Sequence, residues 1–380
     1  MAPSLHIRAA VTLACVFGGS ACAEDAPDPF VPQYETDRLR IGLTFDAELC
    51  RGQRDMWEDH VEILEQTFAV SREFAWLLLY QDDDLGQLSE DCGHRIGYEV
   101  LGCWWQGVVR TTRDVVPHEL VHAWLSTVQT HGLPALVEGV AVRMSGIVPY
   151  LEVKDFTVDD LLFVGKSEDT DFPGSMYPRA GHFVAWLMAT HGADAFMELY
   201  KRTRAGMSAA GVTPVFLDVF GVEPEALLEA YRTSAKDYYP AMGADACGRW
   251  PLAGWQDGAA TWPVEGSCAG GPFLGTETSV QWQRVTIEVT SAGTYRLETW
   301  GRFAALMHCL TEPADEAELP ELHPDGVAGD WLVDTASEVF LLAYPDWDEP
   351  FELAPGTYGV WVDRSQDQVT DDQPLALRKL

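Results

Sequence analysis

Basic residues are scarce. Lys and Arg total 25 against 59 Asp and Glu, a formal net charge of −34 over 380 residues. A field of that sign repels phosphate backbones and excludes nucleic acid as a partner. No segment approaches the roughly 18 consecutive apolar residues of a membrane-spanning helix. Internal repeats with periods of about 20–50 residues are absent, which excludes solenoid and propeller arrays. No CxxC pair occurs, so zinc-ribbon and thioredoxin-type sites are excluded as well. What remains is a globular composition, 47% hydrophobic and 22% charged, which excludes disorder for most of the chain. The length suggests two domains, and 8 cysteines point to an oxidising compartment.

The first two dozen residues read as an export signal. Arg8 supplies a positive charge, Ala9 to Phe17 is largely apolar, and small residues follow from Gly18 to Ala23. Two processing routes fit. Ala21-x-Ala23 suits ordinary signal peptidase, while Gly19-Ser20-Ala21-Cys22 resembles a bacterial lipobox, without its usual leading Leu. The expectation is a signal peptide over 1–22 and a polar, Pro-containing linker over 23–37. The chain is then exported, either secreted or held in the cell envelope, with membrane contact only through a lipid on Cys22.

From residue 38 the pattern mixes strands and helices. Leu39 to Phe45 alternates like a strand, and Trp57, Val61, Leu64 and Phe68 recur at helical spacing. Phe74 to Tyr80 is a short buried strand, and Trp104 to Thr112 reads as one further strand feeding a helix. Segments 133–146, 178–191, 193–204 and 223–238 read as helices. After residue 247 short alternating runs are separated by turn signals such as Ser291-Ala292-Gly293 and Pro355-Gly356, which argues for a β-sandwich. Its strand ends, SAGTYRLETWG and LAPGTYGVWVD, are loosely similar to bacterial pre-peptidase C-terminal domains. The expected boundaries are therefore 38–247 and 248–380. The six cysteines beyond the export signal allow 15 connectivities. An even count on each side of that boundary places Cys247 with the first domain. The pairing expected, though not fixed by the sequence, is Cys92 with Cys103, Cys50 with Cys247 and Cys268 with Cys309.

Chemistry concentrates in His118-Glu119-Leu120-Val121-His122. On a helix the two imidazoles lie about one turn apart and face the same way. They can take two corners of a Zn²⁺ tetrahedron, with Glu119 beside them to act on a water. With 10 His in the chain, HExxH is expected by chance only about 0.02 times, so the motif carries weight. Asp114 is a cap candidate and Pro117 suits the first helical turn.

A third ligand is required. The HExxHxxGxxH pattern fails, since Leu125 and Val128 occupy its Gly and His positions. His131 is close by but sits in a His-Gly-Leu-Pro turn. Glu138 is the stronger candidate, because it interrupts the apolar helix that Pro134 begins, and a carboxylate among apolar residues needs a partner or a cation.

HELVHAW followed by LPALVEGVA resembles the gluzincin metallopeptidases, particularly the bacterial peptidase MA-like group. The resemblance spans about residues 38–245. It implies an α+β zincin-like catalytic domain, a mixed sheet followed by a mostly helical lobe, ahead of the all-β sandwich domain. It makes His118, His122 and Glu138 the ligands of one Zn²⁺ and Glu119 the general base. Many members place an acid four residues after the ligand Glu, where this chain has Val142. The resemblance also implies an edge strand before the HExxH helix, assigned to Gly107–Thr111, for pairing with an extended peptide. Tyr177, in a Tyr-x-x-Ala-Gly-x-Phe pattern, takes the role of oxyanion donor, with Tyr150 and His182 behind it. The expected function is an exported zinc metallopeptidase acting on a peptide or protein. With no GxMEN-type amine-binding signature, an endopeptidase is favoured. The alternative is a catalytically silent surface-binding lipoprotein that keeps the zincin fold.

Overall fold

Alternation in Leu39–Leu43 buries Leu39 and Ile41 and makes strand β2, which pairs with the short β1 (Tyr34–Glu35). Helix α1 (Arg51–Phe68) follows, burying Trp57, Val61, Leu64 and Phe68 as its spacing requires. Strand β3 (Ala75–Tyr80) then pairs in parallel with β2. A computed structural model provides these coordinates. It describes residues 30–380 apart from 82–83, 94–99, 113–115, 147–153, 164–171, 173–174, 245, 247–248, 263–267, 270–272, 277–280, 299–303, 316–339, 344–349 and 365–374. The export signal with Cys22, most of the linker, Asp114, Tyr150 and Cys247 lie outside the described residues. The linker is packed by its end, where Phe30 meets Trp76 edge-on at 5.1 Å.

The expected single strand over 104–112 is a hairpin. Strands β4 (Gly102–Trp105) and β5 (Val108–Thr112) are antiparallel, because Gln106 and Gly107 take positive φ of 51° and 80° and turn the chain back. The sheet order is β1-β2-β3-β5-β4, mixed in direction, with helix α2 (Leu85–Asp91) between β3 and β4 in sequence. This corrects the edge assignment: β5 lies inside the sheet, and β4 is its edge among the described residues.

The helical part follows. Helices α3 (Val116–Leu125), α4 (Pro134–Met144), α5 (Val158–Leu162) and α6 (Met176–Arg202) share one apolar core with the sheet. Gly192, at φ 85°, breaks α6 into the two helices that the sequence suggests. Helix α7 (Ala209–Phe220) goes beyond the sequence expectation, since Pro214 inside it reads as a breaker. Ser208 caps its start and Gly221 ends it in the left-handed region. Helix α8 (Pro224–Ser234) is shorter than expected.

The C-terminal part consists of two antiparallel sheets. One runs β11 (Phe340–Ala343), β10 (Ala304–His308), β13 (Gly356–Arg364), β8 (Gln281–Val289). The other runs β12 (Phe351–Leu353), β9 (Gly293–Glu298), β14 (Leu375–Lys379), β7 (Ala259–Trp262), β6 (Gly254–Gln256). Ile287, Tyr295, Leu306, Tyr358 and Val360 belong to their shared core. The chain is thus mixed α/β with a separate antiparallel part, compatible with α+β.

The two parts are joined covalently, contrary to the expected cysteine pairing. Cys92 pairs with Cys103 as the sequence suggests, but Cys50 pairs with Cys268 across 218 positions. Cys309, expected opposite Cys268, is disulfide-bonded elsewhere. Parity within each part fails as an argument because one bridge spans the boundary. Helix α1 has no side-chain cap at Cys50. Its first donors go instead to the C-terminal part, Cys50 N–H to the Gly275 carbonyl (3.0 Å) and Arg51 N–H to the Cys268 carbonyl (2.8 Å). Gly275 N–H donates back to Gln53 Oε1 at 3.1 Å.

Candidate metal centre

Helix α3 carries the HExxH residues. Its last turn is closed by side chains, Ser126 Oγ–H donating to the Ala123 carbonyl (2.7 Å) and Thr127 Oγ1–H to that of Trp124 (2.7 Å). Arg72 donates to the Ala123 carbonyl too (2.8 Å), placing a cation at the negative end of the helix. At its start, buried His60 donates from Nε2 to the Pro117 carbonyl (3.1 Å), one residue before His118. Burial holds the His60 imidazole down at about 4, so it stays neutral at ordinary pH.

Helix α4 brings Glu138 to the same point. It lies very close to α6: a Cβ on Gly139 would fall 2.6 Å from the Ala180 carbonyl oxygen, and one on Gly181 would fall 2.8 Å from Val142 Cβ. Those two glycines let the helix backbones approach, and Val142 fills the space over Gly181. That contact accounts for a valine where an acid was looked for.

The three candidate ligands converge. His118 Nε2 and His122 Nε2 are 3.1 Å apart, and Glu138 Oε2 is 3.2 Å from the first and 3.3 Å from the second. They form a group that could hold a metal ion, and among the described residues no other such group of His, Cys, Asp and Glu occurs. Burial raises the Glu138 carboxyl, but His122 and His118 outweigh it and hold Glu138 well below its ordinary value. Burial likewise lowers His122, yet Glu138 and Glu119 outweigh it and hold the imidazole up at about 9. Glu119 is only 6% exposed, and burial raises its carboxyl against the pull of His122 and His118.

The group opens into a cleft of about 310 Å³. Gly102, Cys103 and Trp104 of the edge strand line one wall, and Tyr177 and Tyr200 of α6 line another. Tyr177 sits in the first turn of α6, its ring 5.8 Å from that of His118. The structure therefore brings together all five expected site residues, His118, Glu119, His122, Glu138 and Tyr177. The weaker candidates do not join them. His131 is exposed and does not line the cleft. His182 is buried elsewhere, accepting from the Tyr231 hydroxyl (2.8 Å) and donating to the Lys236 carbonyl (2.9 Å).

Several cleft residues had no signal strong enough to single them out. Tyr200 looks like any aromatic on an amphipathic helix, yet its phenol is raised by burial and by the charge of Glu138. Trp104 is fixed by the Arg72 guanidinium, 4.5 Å from its ring centroid. Gly102 carries a legible hint, since a glycine within a strand pattern often marks a close approach. The chain matches no protein-family model, and no curated protein matches it.

Proposed function

We propose that the chain is an exported zinc-dependent peptidase of the gluzincin type, with His118, His122 and Glu138 holding one Zn²⁺. The donor set, two imidazole nitrogens and one carboxylate oxygen, is the kind that zinc takes when a position is left open for chemistry. Zinc–ligand bonds of about 2.0–2.1 Å at a tetrahedral angle put neighbouring ligand atoms about 3.3 Å apart. The three separations of 3.1, 3.2 and 3.3 Å agree with that triangle. The observation that carries the reading is the position of Glu119, buried next to this triangle in the cleft bordered by the edge strand β4.

When bound, the zinc supplies Lewis acidity that makes a water nucleophilic near neutral pH and polarises a carbonyl. Glu119 accepts the water's proton and hands it to the leaving amine. The Tyr177 hydroxyl donates to the oxygen that becomes negative as the carbonyl is attacked. Strand β4, at the end of the sheet among the described residues, holds an extended substrate by adding it to the sheet.

The test is Glu119→Gln with denatured casein as substrate. Stoichiometric zinc with cleavage lowered at least about a hundredfold is expected, given the usual size of acid–base contributions. Zinc retained with cleavage unchanged sinks the mechanism. A wild-type chain that binds zinc and cleaves nothing returns the reading to a silent binding protein.

A further inference from the structure

We infer that Gly102 is a positioning residue for Glu119, reserving the space in which the catalytic carboxylate is seated; the inference rests on the peptidase reading. Gly102 lies on β4 directly opposite Thr111 of β5. Its φ is not among the positive values that favour glycine, so its backbone conformation would accept any side chain. Glycine also weakens a strand, offering nothing to pack and losing more conformational freedom on folding. Neither backbone geometry nor strand propensity therefore explains its presence.

The contacts do. A Cβ built on Gly102 would stand 2.7 Å from Glu119 Cγ, 2.8 Å from Glu119 Oε1 and 2.6 Å from Thr111 Oγ1. Real Cβ atoms do not come that close, so either the Glu119 carboxylate or the edge strand would have to shift. Thr111 is fully buried, and its Oγ1–H is held by the carbonyls of Leu101 (3.1 Å) and Thr112 (2.9 Å). The strand is held before Gly102 by the Leu101 carbonyl, which accepts from Thr112 N–H (2.9 Å), and after it by its two neighbours. Cys103 is bonded to Cys92 at the end of α2, and Trp104 lies against Arg72, which is itself bonded to the Ala123 carbonyl of α3. Glu119 is the part that gives.

One small residue thus couples two functions of the same cleft. The strand that would hold the substrate is also the surface against which the base rests, so the base keeps a fixed height relative to a peptide paired on β4. A methyl group at position 102 meets the Glu119 carboxylate, and none of the three ligands is among its nearest contacts. Binding of metal and of extended peptide should survive while proton transfer suffers, since misplacing a reacting group by about 1 Å can cost about 100-fold.

The experiment compares Gly102→Ala with Gly86→Ala, an exposed helical glycine whose added Cβ meets nothing within 4 Å. Zinc stoichiometry, kcat and KM on a peptide substrate, and a crystal structure of each variant are measured. For Gly102→Ala the expected result is full zinc, KM within about threefold of wild type, kcat lowered at least tenfold, and Glu119 displaced in the crystal. For Gly86→Ala no change is expected. An unmoved Glu119, or a displaced one with wild-type kcat, overturns the inference and leaves the peptidase reading intact. If the wild-type chain cleaves nothing, that reading falls instead. The variant crystal structure then decides alone whether Gly102 seats Glu119.

Discussion

Replacing Glu138 by Ala removes one of three donors whose atoms lie 3.1–3.3 Å apart. An ion that binds only the folded chain stabilises it by RT ln(1 + [L]/Kd), about 2.7 kcal/mol when free metal is 100 times Kd. For a chain of this size that amounts to about 5 °C, at the lower end of the usual 2–4 °C per kcal/mol. Losing a group that only orients a ligand weakens metal binding about 10–100-fold, so losing a ligand itself should cost at least the upper figure. At the same free zinc concentration the variant then sits near its Kd and gains only about 0.4 kcal/mol, a shift of about 1 °C. The assay is thermal unfolding of both proteins over a zinc series buffered with chelator, together with metal content after gel filtration. Alanine at 138 also leaves His122 without its carboxylate, so the metal-free variants should be compared at one pH. A variant that keeps one zinc per chain and the full thermal gain would refute Glu138 as a ligand, and with it the role assigned to helix α4.

Two further outcomes concern the frame around the site. Replacing Cys50 and Cys268 with Ser opens a loop of 218 positions, worth up to about 5 kcal/mol by chain entropy, and the urea midpoint should fall accordingly. An unchanged midpoint would mean that non-covalent contacts, among them the backbone cap on α1 and the Tyr238–Ala314 pairing, hold the two parts without the bridge. Burial holds His60 and His182 down at about 4, so between about pH 6.5 and 4 the unfolded chain binds protons that the folded chain does not. The share of these two histidines should therefore be lost as pH falls through that window, the loss being complete below it. Each histidine contributes up to about 2 kcal/mol of the loss by pH 5. His182→Gln should flatten its share in urea titrations at pH 7 and 5; an unaltered slope would show that His182 titrates normally.

The candidate site was largely legible in the sequence because helical spacing is rigid. His118 and His122 share a face by periodicity alone, and Glu138 stands out as a charge in an apolar stretch. Tyr177 was reachable only through resemblance, and Tyr200 not at all, since nothing local separates a cleft aromatic from a core one. The hairpin at Gln106-Gly107 was hidden because Trp104 to Thr112 is apolar enough to pass for one strand. Only the positive φ values reveal the turn, and that one misreading put the edge on β5 instead of β4. Cys50–Cys268 was out of reach for another reason: pairing depends on how two folded parts meet, and spacing along a chain says nothing about that.

That bridge also fixes the covalent topology of the molecule. The chain from Cys50 to Cys268 is a closed ring, and every described helix, both histidines and Glu138 lie inside it. A single cut of the backbone between those cysteines would open the ring without releasing a fragment. The cleaved ends would stay at high effective concentration, and the sandwich would still cap α1. Such a ring turns a nick from a loss into a scar.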